Sequence, residues 1–163
     1  MMVSRVLKHL LLPPWVARRA FPPSALKRIE EAVKASEQRH RGEIRFAVET
    51  TLAVPHLGRS ARERARQVFA ALDVWDTEEN TGVLLYVQLV DRKIEIVADR
   101  GIAARVPQSE WDAVCRAMEA RFRKQEYLAG ALEAINAVTR ILERHFPARG
   151  ANPNELPDKP AVL

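Results

Sequence analysis

The sequence is poor in the residue types on which several common functions depend. Cys115 is the one cysteine among 163 residues, which excludes an intramolecular disulfide and a cysteine-based zinc site. Its position on the apolar side of a predicted helix indicates a packed, unreactive thiol. The six glycines stand singly, and the sequence contains neither a phosphate-binding glycine loop nor a Gly-x-Ser-x-Gly motif. We therefore do not expect a serine hydrolase or a nucleotide-binding enzyme.

Long hydrophobic runs are also missing. No stretch approaches the roughly 20 apolar residues that a membrane-spanning helix requires. Near the N-terminus, Lys8 and His9 interrupt the apolar run, so we expect an uncleaved segment rather than a signal peptide. The sequence thus favours a cytoplasmic protein that is not secreted and is at most peripheral to a membrane.

Residues 1–21 form a basic N-terminal arm for which two roles are open. The arm either packs on its own domain, which we favour, or contacts anionic lipid at a membrane surface. The second role would use two aromatic and four basic side chains, namely Trp15, Phe21, Arg5, Lys8, Arg18 and Arg19.

The net charge of +5 is concentrated at this end of the chain. The first 41 residues contain nine Lys and Arg against three acidic residues, whereas residues 42–163 contain 17 against 18. In that nearly neutral part, basic and acidic residues alternate along predicted helices, which is typical of solvated helix faces. We therefore expect no nucleic-acid partner.

The order of periodic segments predicts one α/β domain over residues 22–147. A helix over "PPSALKRIEEAVKASEQRH" precedes a strand over "EIRFAVET", and Ser60 with Glu63 predicts a capping box at the start of the next helix. The apolar run "VLLYVQLV" predicts a central strand covered on both faces, joined to "KIEIVAD" by a two-residue hairpin. Two core helices follow, and we expect residues 148–163, which include three prolines, to form a flexible tail.

The predicted hairpin returns the chain to an acidic loop, "DVWDTEENTG". With the turn between Asp91 and Arg92, Asp99 would lie opposite about Leu84 and near the loop. Carboxylate and amide oxygens suit a calcium or magnesium ion. The other interpretation, which we favour on the residues alone, is a solvated loop whose Asp and Asn shape turns. The residues that would approach Asp99 are Asp73, Asp76, Glu78, Glu79 and Asn80.

The histidines offer no alternative metal site. They stand at the ends of predicted elements without the spacing of metal ligands, so we expect solvated side chains. These residues are His9, His40, His56 and His145.

The sequence resembles the TPM domain family in the order and spacing of three segments. They are "RGEIRFAVE", "NTGVLLYVQLVDRKIEIVADRGI" and "WDAVCRAMEARFRKQEYLAGALEAI". The resemblance covers roughly residues 24–146 and is greatest to the short branch that lacks signal and membrane segments. It implies a three-layer α/β/α sandwich with a small mixed sheet of three to four strands. Members of the family have been described as acid-phosphatase-like proteins, as divalent-cation binders, and as accessory proteins in photosystem repair and membrane complexes.

The resemblance places the family's acidic positions at Asp76, Glu79, Asn80 and Asp99. The chain departs from many exported members, which have a glycine-rich loop and a Gly-Tyr-Gly motif where this sequence reads "DVWDTEENTG" and "ADRGI". Arg100 follows Asp99 directly, so its guanidinium would either neutralise that carboxylate or face a phosphate.

Two functions follow from these observations. The one we favour is a non-catalytic binding module for a divalent cation, calcium or magnesium, or for a protein partner. The alternative is a metal-assisted phosphomonoesterase in which Asp76 and Asp99 hold the ion and Arg100 holds the phosphate. No residue can be assigned as nucleophile or leaving-group acid, so the catalytic residues of the alternative are unknown.

Overall fold

The computed structural model describes residues 2–13 and 15–163; Met1 and Pro14, both in the predicted arm, lie outside them. The sheet is formed by β1 (Glu43–Glu49), β2 (Gly82–Gln88), β3 (Lys93–Ala98) and β4 (Ala161–Val162). The helices are α1 (Met2–Leu11), α2 (Trp15–Ala20), α3 (Pro23–Glu37), α4 (Ala61–Ala71), α5 (Arg100–Ala103), α6 (Gln108–Arg123) and α7 (Tyr127–His145). Within these described residues, no helix has the length and apolar character needed to cross a bilayer.

The four strands form one mixed sheet in the order β3-β2-β1-β4. Strands β1 and β2 are parallel, as expected for two strands joined through the crossover helix α4, and β3 runs antiparallel to β2. All seven residues of β2 are buried, which confirms the central strand predicted from its continuous apolar run.

Helices cover both faces of the sheet. On one face, Ile44, Phe46 and Leu85 pack against α3, α6 and α7 in the larger core. On the other face, Leu84 and Tyr86 pack against α4. Because neighbouring strand residues point to opposite faces, both cores come from the same strands. The predicted three-layer α/β/α sandwich is confirmed.

The hairpin between β2 and β3 differs from the expected two-residue turn. Gln88 pairs with Lys93, so four residues make the connection, and Arg92 adopts a positive φ of 52°. The N–H of Leu89 instead donates to the carbonyl of Glu49 on β1, at 3.0 Å. The register shifts accordingly, and Asp99 lies opposite Gly82 rather than Leu84. This register brings Asp99 closer to the acidic loop than the sequence predicted.

The C-terminal segment also differs from the flexible tail expected for residues 148–163. Leu156 is buried against the α4 side of the sheet, and β4 pairs with β1. The carboxylate of Glu43 accepts hydrogen bonds from the N–H of Leu156, at 3.0 Å, and from the N–H of Glu155, at 3.3 Å. The guanidinium of Arg45 donates to the carbonyl of Pro157 at 3.0 Å. The prolines prevent helix formation, but they leave an extended segment that side chains of β1 bind.

Candidate functional site

The acidic loop, residues 73–81 between α4 and β2, is held by its own hydrogen bonds. Asp73 and Asn80 have positive φ angles of 53° and 55°, a conformation that Asp and Asn adopt more readily than most residues. The N–H of Asp76 donates to the carbonyl of Asp73 at 2.9 Å, and that of Thr81 donates to Oγ1 of Thr77 at 2.9 Å. The loop backbone is therefore held in place by hydrogen bonds within the loop.

Two glycines allow the loop to lie directly on its neighbours. A Cβ added to Gly82 would lie 1.9 Å from the carbonyl oxygen of Val74, and one added to Gly101 would lie 2.6 Å from those of Glu79 and Asn80. Such separations are far below van der Waals contact, so both positions require glycine. This close approach places the start of α5 against the end of the acidic loop.

Asp99 lies beside the loop, as the sequence predicted. Its Oδ1 accepts the N–H of Arg100 at 2.7 Å and caps α5. Its Oδ2 is buried and has no hydrogen-bond partner among the described residues. The guanidinium of Arg100 donates instead to Oδ1 of Asn80, at 3.3 Å. Arg100 thus contacts the neighbouring amide rather than neutralising the Asp99 oxygen.

The other two candidate ligands point elsewhere. Nε of Arg41 lies 3.1 Å from Oε2 of Glu79, although without the angles of a hydrogen bond. Asp76 is exposed to solvent. Over residues 2–13 and 15–163, no three His, Cys, Asp or Glu side chains are placed to bind one metal ion. The four predicted residues therefore share one edge of the domain but do not form an assembled coordination sphere.

Trp75 is the most unusual side chain of the loop. It is 53% exposed, between the exposed carboxylates of Asp73, Asp76 and Glu78. The N–H of Glu78 donates to Oε2 of Glu155 at 2.8 Å, so the C-terminal segment also supports the loop. Tryptophan is one of the residue types enriched among the side chains that dominate binding energy at protein interfaces.

Comparison with known proteins identifies the family. A family model of the TPM domain matches residues 18–141. The chain belongs to the TPM domain family. No curated protein matches the chain significantly.

Solved structures share this TPM fold. The NMR structure of the BA42 protein from the psychrophilic bacterium Bizionia argentinensis is 28% identical, with a TM-score of 0.77 over 86% of this chain and 93% of that one. The N-terminal domain of a protein from P. gingivalis is 15% identical, with a TM-score of 0.62 over 76% of this chain and 77% of that one. The second likeness concerns the fold alone.

A group of buried and partly buried carboxylates was not predicted from the sequence. Glu37, Glu43 and Asp158 line a cavity of about 280 Å³ between α3, the start of β1 and the C-terminal segment. Burial raises the pKa of Glu37 to about 9, with the charges of Glu43 and Asp158 adding to the shift. Burial also raises the pKa of Glu43 to about 7, against the hydrogen bonds that it accepts from the C-terminal segment. Glu37 is therefore neutral at pH 7.

His9 on α1 and His40 after α3 are buried, so the expectation of solvated side chains is wrong for these two. His40 belongs to a chain of hydrogen bonds between α3 and α7. Thr139 donates to the carbonyl of Ile135 and accepts from Ser36, at 2.6 Å each. Because the hydroxyl of Ser36 donates its proton to Thr139, its Oγ accepts a hydrogen bond from Nε2 of His40, at 2.8 Å.

The same chain of hydrogen bonds fixes the protonation of His40. Its Nδ1 accepts the N–H of Gly42 at 3.1 Å, so a neutral ring carries its proton on Nε2. Burial lowers the pKa of His40 to about 4, consistent with a neutral ring. Because Nε2 already holds a proton, His40 cannot accept one from Ser36. The pair is a structural contact between helices, not a nucleophile with its base.

Cys115 matches the prediction of an unreactive thiol. It packs against the larger core, and burial raises its pKa to about 12.

Proposed function

We propose that this chain is a non-catalytic binding module whose binding surface is the acidic loop, with a divalent-cation site beside Asp99. The observation that carries the proposal is the loop itself, whose hydrogen-bonded backbone presents Trp75 and four exposed carboxylates to solvent. Preorganised loops lose little conformational entropy on binding, which favours affinity. A partner with an apolar pocket and basic surroundings would be complementary to this surface.

The support for a cation lies in the buried Oδ2 of Asp99, an anionic oxygen without a partner among the described residues. Such an oxygen is costly unless a cation or a donor compensates for lost hydration. Calcium or magnesium would draw the carboxylates of Asp76 and Glu79 and the amide oxygen of Asn80 toward the same point. Glu79 would then leave Arg41, and Asn80 would leave Arg100.

Titration with calcium or magnesium should produce saturable NMR shifts confined to the amides of residues 76–82 and 99–102. Asp99→Asn should abolish them, because asparagine can still cap α5 but lacks the carboxylate charge. Asp112→Asn, which removes an exposed carboxylate on α6, should bind as the wild type does. An unchanged spectrum at millimolar ion would contradict the cation site.

The same variants separate this proposal from the phosphomonoesterase. Turnover of p-nitrophenyl phosphate with calcium or magnesium that disappears in Asp99→Asn would show a hydrolase and contradict a non-catalytic module. We expect no such turnover, because hydrolysis requires a nucleophile or activated water and a leaving-group acid.

Trp75→Ala tests the protein-binding part of the surface. Loss of a central interface tryptophan weakens binding by about 2 kcal/mol or more, a factor of roughly 30. A purified partner identified with the wild-type protein should show this loss by calorimetry. Val54→Ala, which truncates an exposed residue outside the loop, should keep the affinity. Equal binding by both variants would place the interface elsewhere.

A further inference from the structure

The N-terminal helix α1 has its polar side turned toward the protein. Nη2 of Arg5 donates to Oδ2 of Asp91 at 2.6 Å, and Nη1 donates to the carbonyl of Leu57 at 2.8 Å. His9 is buried, and its Nδ1 accepts the N–H of Leu52 at 2.9 Å. These contacts fix α1 over the end of the sheet where β1 and β2 finish. Helix α1 therefore packs on its own domain through polar side chains. Phe21, at the end of the arm, is buried in the larger core against the ring of Phe46 and is not available to lipid.

The apolar side of α1 faces solvent as a consequence. Its residues repeat at the spacing of one helix face and are between 54% and 81% exposed. A helix on the surface of a globular domain normally shows the opposite arrangement, with its apolar stripe buried. We call this set the apolar stripe, and it consists of Val3, Leu7, Leu10 and Leu11.

The exposed charges around the apolar stripe are all positive in this part of the sequence. The chain has six Lys and Arg residues before Glu30, its first acidic residue. Lys8, Arg18 and Arg19 are exposed, and Trp15, at the start of α2, is 58% exposed. Leucines and a tryptophan flanked only by cations are the composition of helices that lie in the interface of anionic bilayers.

We propose that α1 docks this protein onto an anionic membrane surface, with the apolar stripe in the headgroup region and the basic side chains against lipid phosphates and carboxylates. With ten residues, α1 is too short to span a bilayer, so it would lie in the membrane plane. The contacts of Arg5 and His9 would hold the domain at a fixed orientation above it. This surface is separate from the acidic loop, so the inference does not depend on the proposed cation site.

Co-sedimentation of the full chain with lipid vesicles tests the inference. Phosphatidylcholine vesicles containing phosphatidylserine should bind the protein, vesicles of phosphatidylcholine alone should bind it much less, and added salt should weaken the binding. The double variant Leu7→Glu and Leu11→Glu should lower the partition coefficient at least about tenfold, since it places charge at the buried depth. Lys8→Gln with Arg18→Gln should lower it on anionic vesicles only.

Trp75→Glu serves as the matched control, because Trp75 is 53% exposed and Leu7 is 54% exposed, but Trp75 lies in the acidic loop. It should bind vesicles as the wild type does, and circular dichroism should verify that every variant is folded. Equal binding to neutral and anionic vesicles, no binding at all, or loss of binding in Trp75→Glu alone would overturn the inference. So would a lipid-free dimer that the Leu7 and Leu11 substitutions convert to a monomer, since the apolar stripe would then join two copies.

Discussion

Glu37→Gln should make the protein more stable than the wild type at alkaline pH while leaving it nearly unchanged at pH 5. Glutamine has the shape of a protonated glutamic acid. Its carbonyl can still accept the N–H of Ile44, now 2.8 Å from Oε1 of Glu37, and its amide can donate toward Asp158. What the substitution removes is the proton that wild-type Glu37 must lose as the pH rises.

The sign follows from the two pKa values of Glu37, about 9 in the folded protein and 4.5 as the unperturbed value. Between these pH values the folded state holds a proton that the unfolded state has released, so stability falls as the pH rises. The slope is about 1.4 kcal/mol per pH unit for one proton. We therefore expect an advantage of Glu37→Gln on the order of 4 kcal/mol at pH 8.

Two other buried groups affect how the free energy of unfolding of the wild type depends on pH. Glu43, with a pKa of about 7, adds to the fall of stability up to neutral pH. His40 acts in the opposite direction between about pH 4 and 6.5, where the unfolded state binds the additional proton. The wild type should consequently lose stability most steeply between about pH 6.5 and 7.

Urea unfolding at pH values from 5 to 9 measures the effect. Glu31→Gln is the control, because it removes the same charge from an exposed position on α3. It should follow the wild-type pH dependence. Parallel curves for Glu37→Gln and the wild type would mean that Glu37 is ionised in the folded protein.

Gly82→Ala should destabilise the domain by at least about 3 kcal/mol, the upper part of the usual range for overpacking. The new methyl group would lie 1.9 Å from the carbonyl oxygen of Val74. Backbone is on both sides of this contact, so no side-chain rotation can relieve it. The start of β2 or the acidic loop must move, and the bond from the N–H of Asp99 to the Gly82 carbonyl, now 2.8 Å, would be strained.

Gly58→Ala provides the comparison for Gly82→Ala. No atom lies within 4 Å of the Cβ that it would add, so stability should be unchanged or rise by up to about 1 kcal/mol. Both free energies of unfolding come from urea titrations, and the acidic-loop amides of Gly82→Ala should shift in NMR spectra. A Gly82→Ala protein as stable as the wild type would contradict the close packing of the loop on β2.

The elements that depend on local pattern could be predicted from sequence. The Ser60–Glu63 capping box forms as expected, because both of its bonds lie within four residues. The hairpin register could not be predicted, since Leu89 pairs with β1 rather than with β3. Burial of His40 was missed for a similar reason: its partner Ser36 is four residues away, but the chain of bonds continues to Thr139 on α7. Hydrogen-bond partners that are far apart in the sequence produce no periodic pattern, so a single sequence does not reveal them.

For the candidate site, the sequence correctly predicted that Asp99 lies near the acidic loop. It could not predict how the carboxylate oxygens of Asp99 are oriented. Whether Glu79 faces Asp99 or Arg41 depends on side-chain rotation, which periodicity does not encode. Exposure of Trp75 was equally unreadable, because tryptophan is usually well buried and only the tertiary structure shows that its loop points outward.

The short strand β4 has a consequence for the outer edge of the sheet. It pairs with the outer side of β1 at Ala47 and Val48, where β1 would otherwise be an edge strand. A chain truncated at residue 147, which keeps α7 but lacks the C-terminal segment, would leave the hydrogen-bonding groups of β1 open to a strand from another molecule. The C-terminal segment thus covers the edge of β1 and blocks pairing with a strand of another molecule. Fragments that omit this segment should aggregate when they are concentrated.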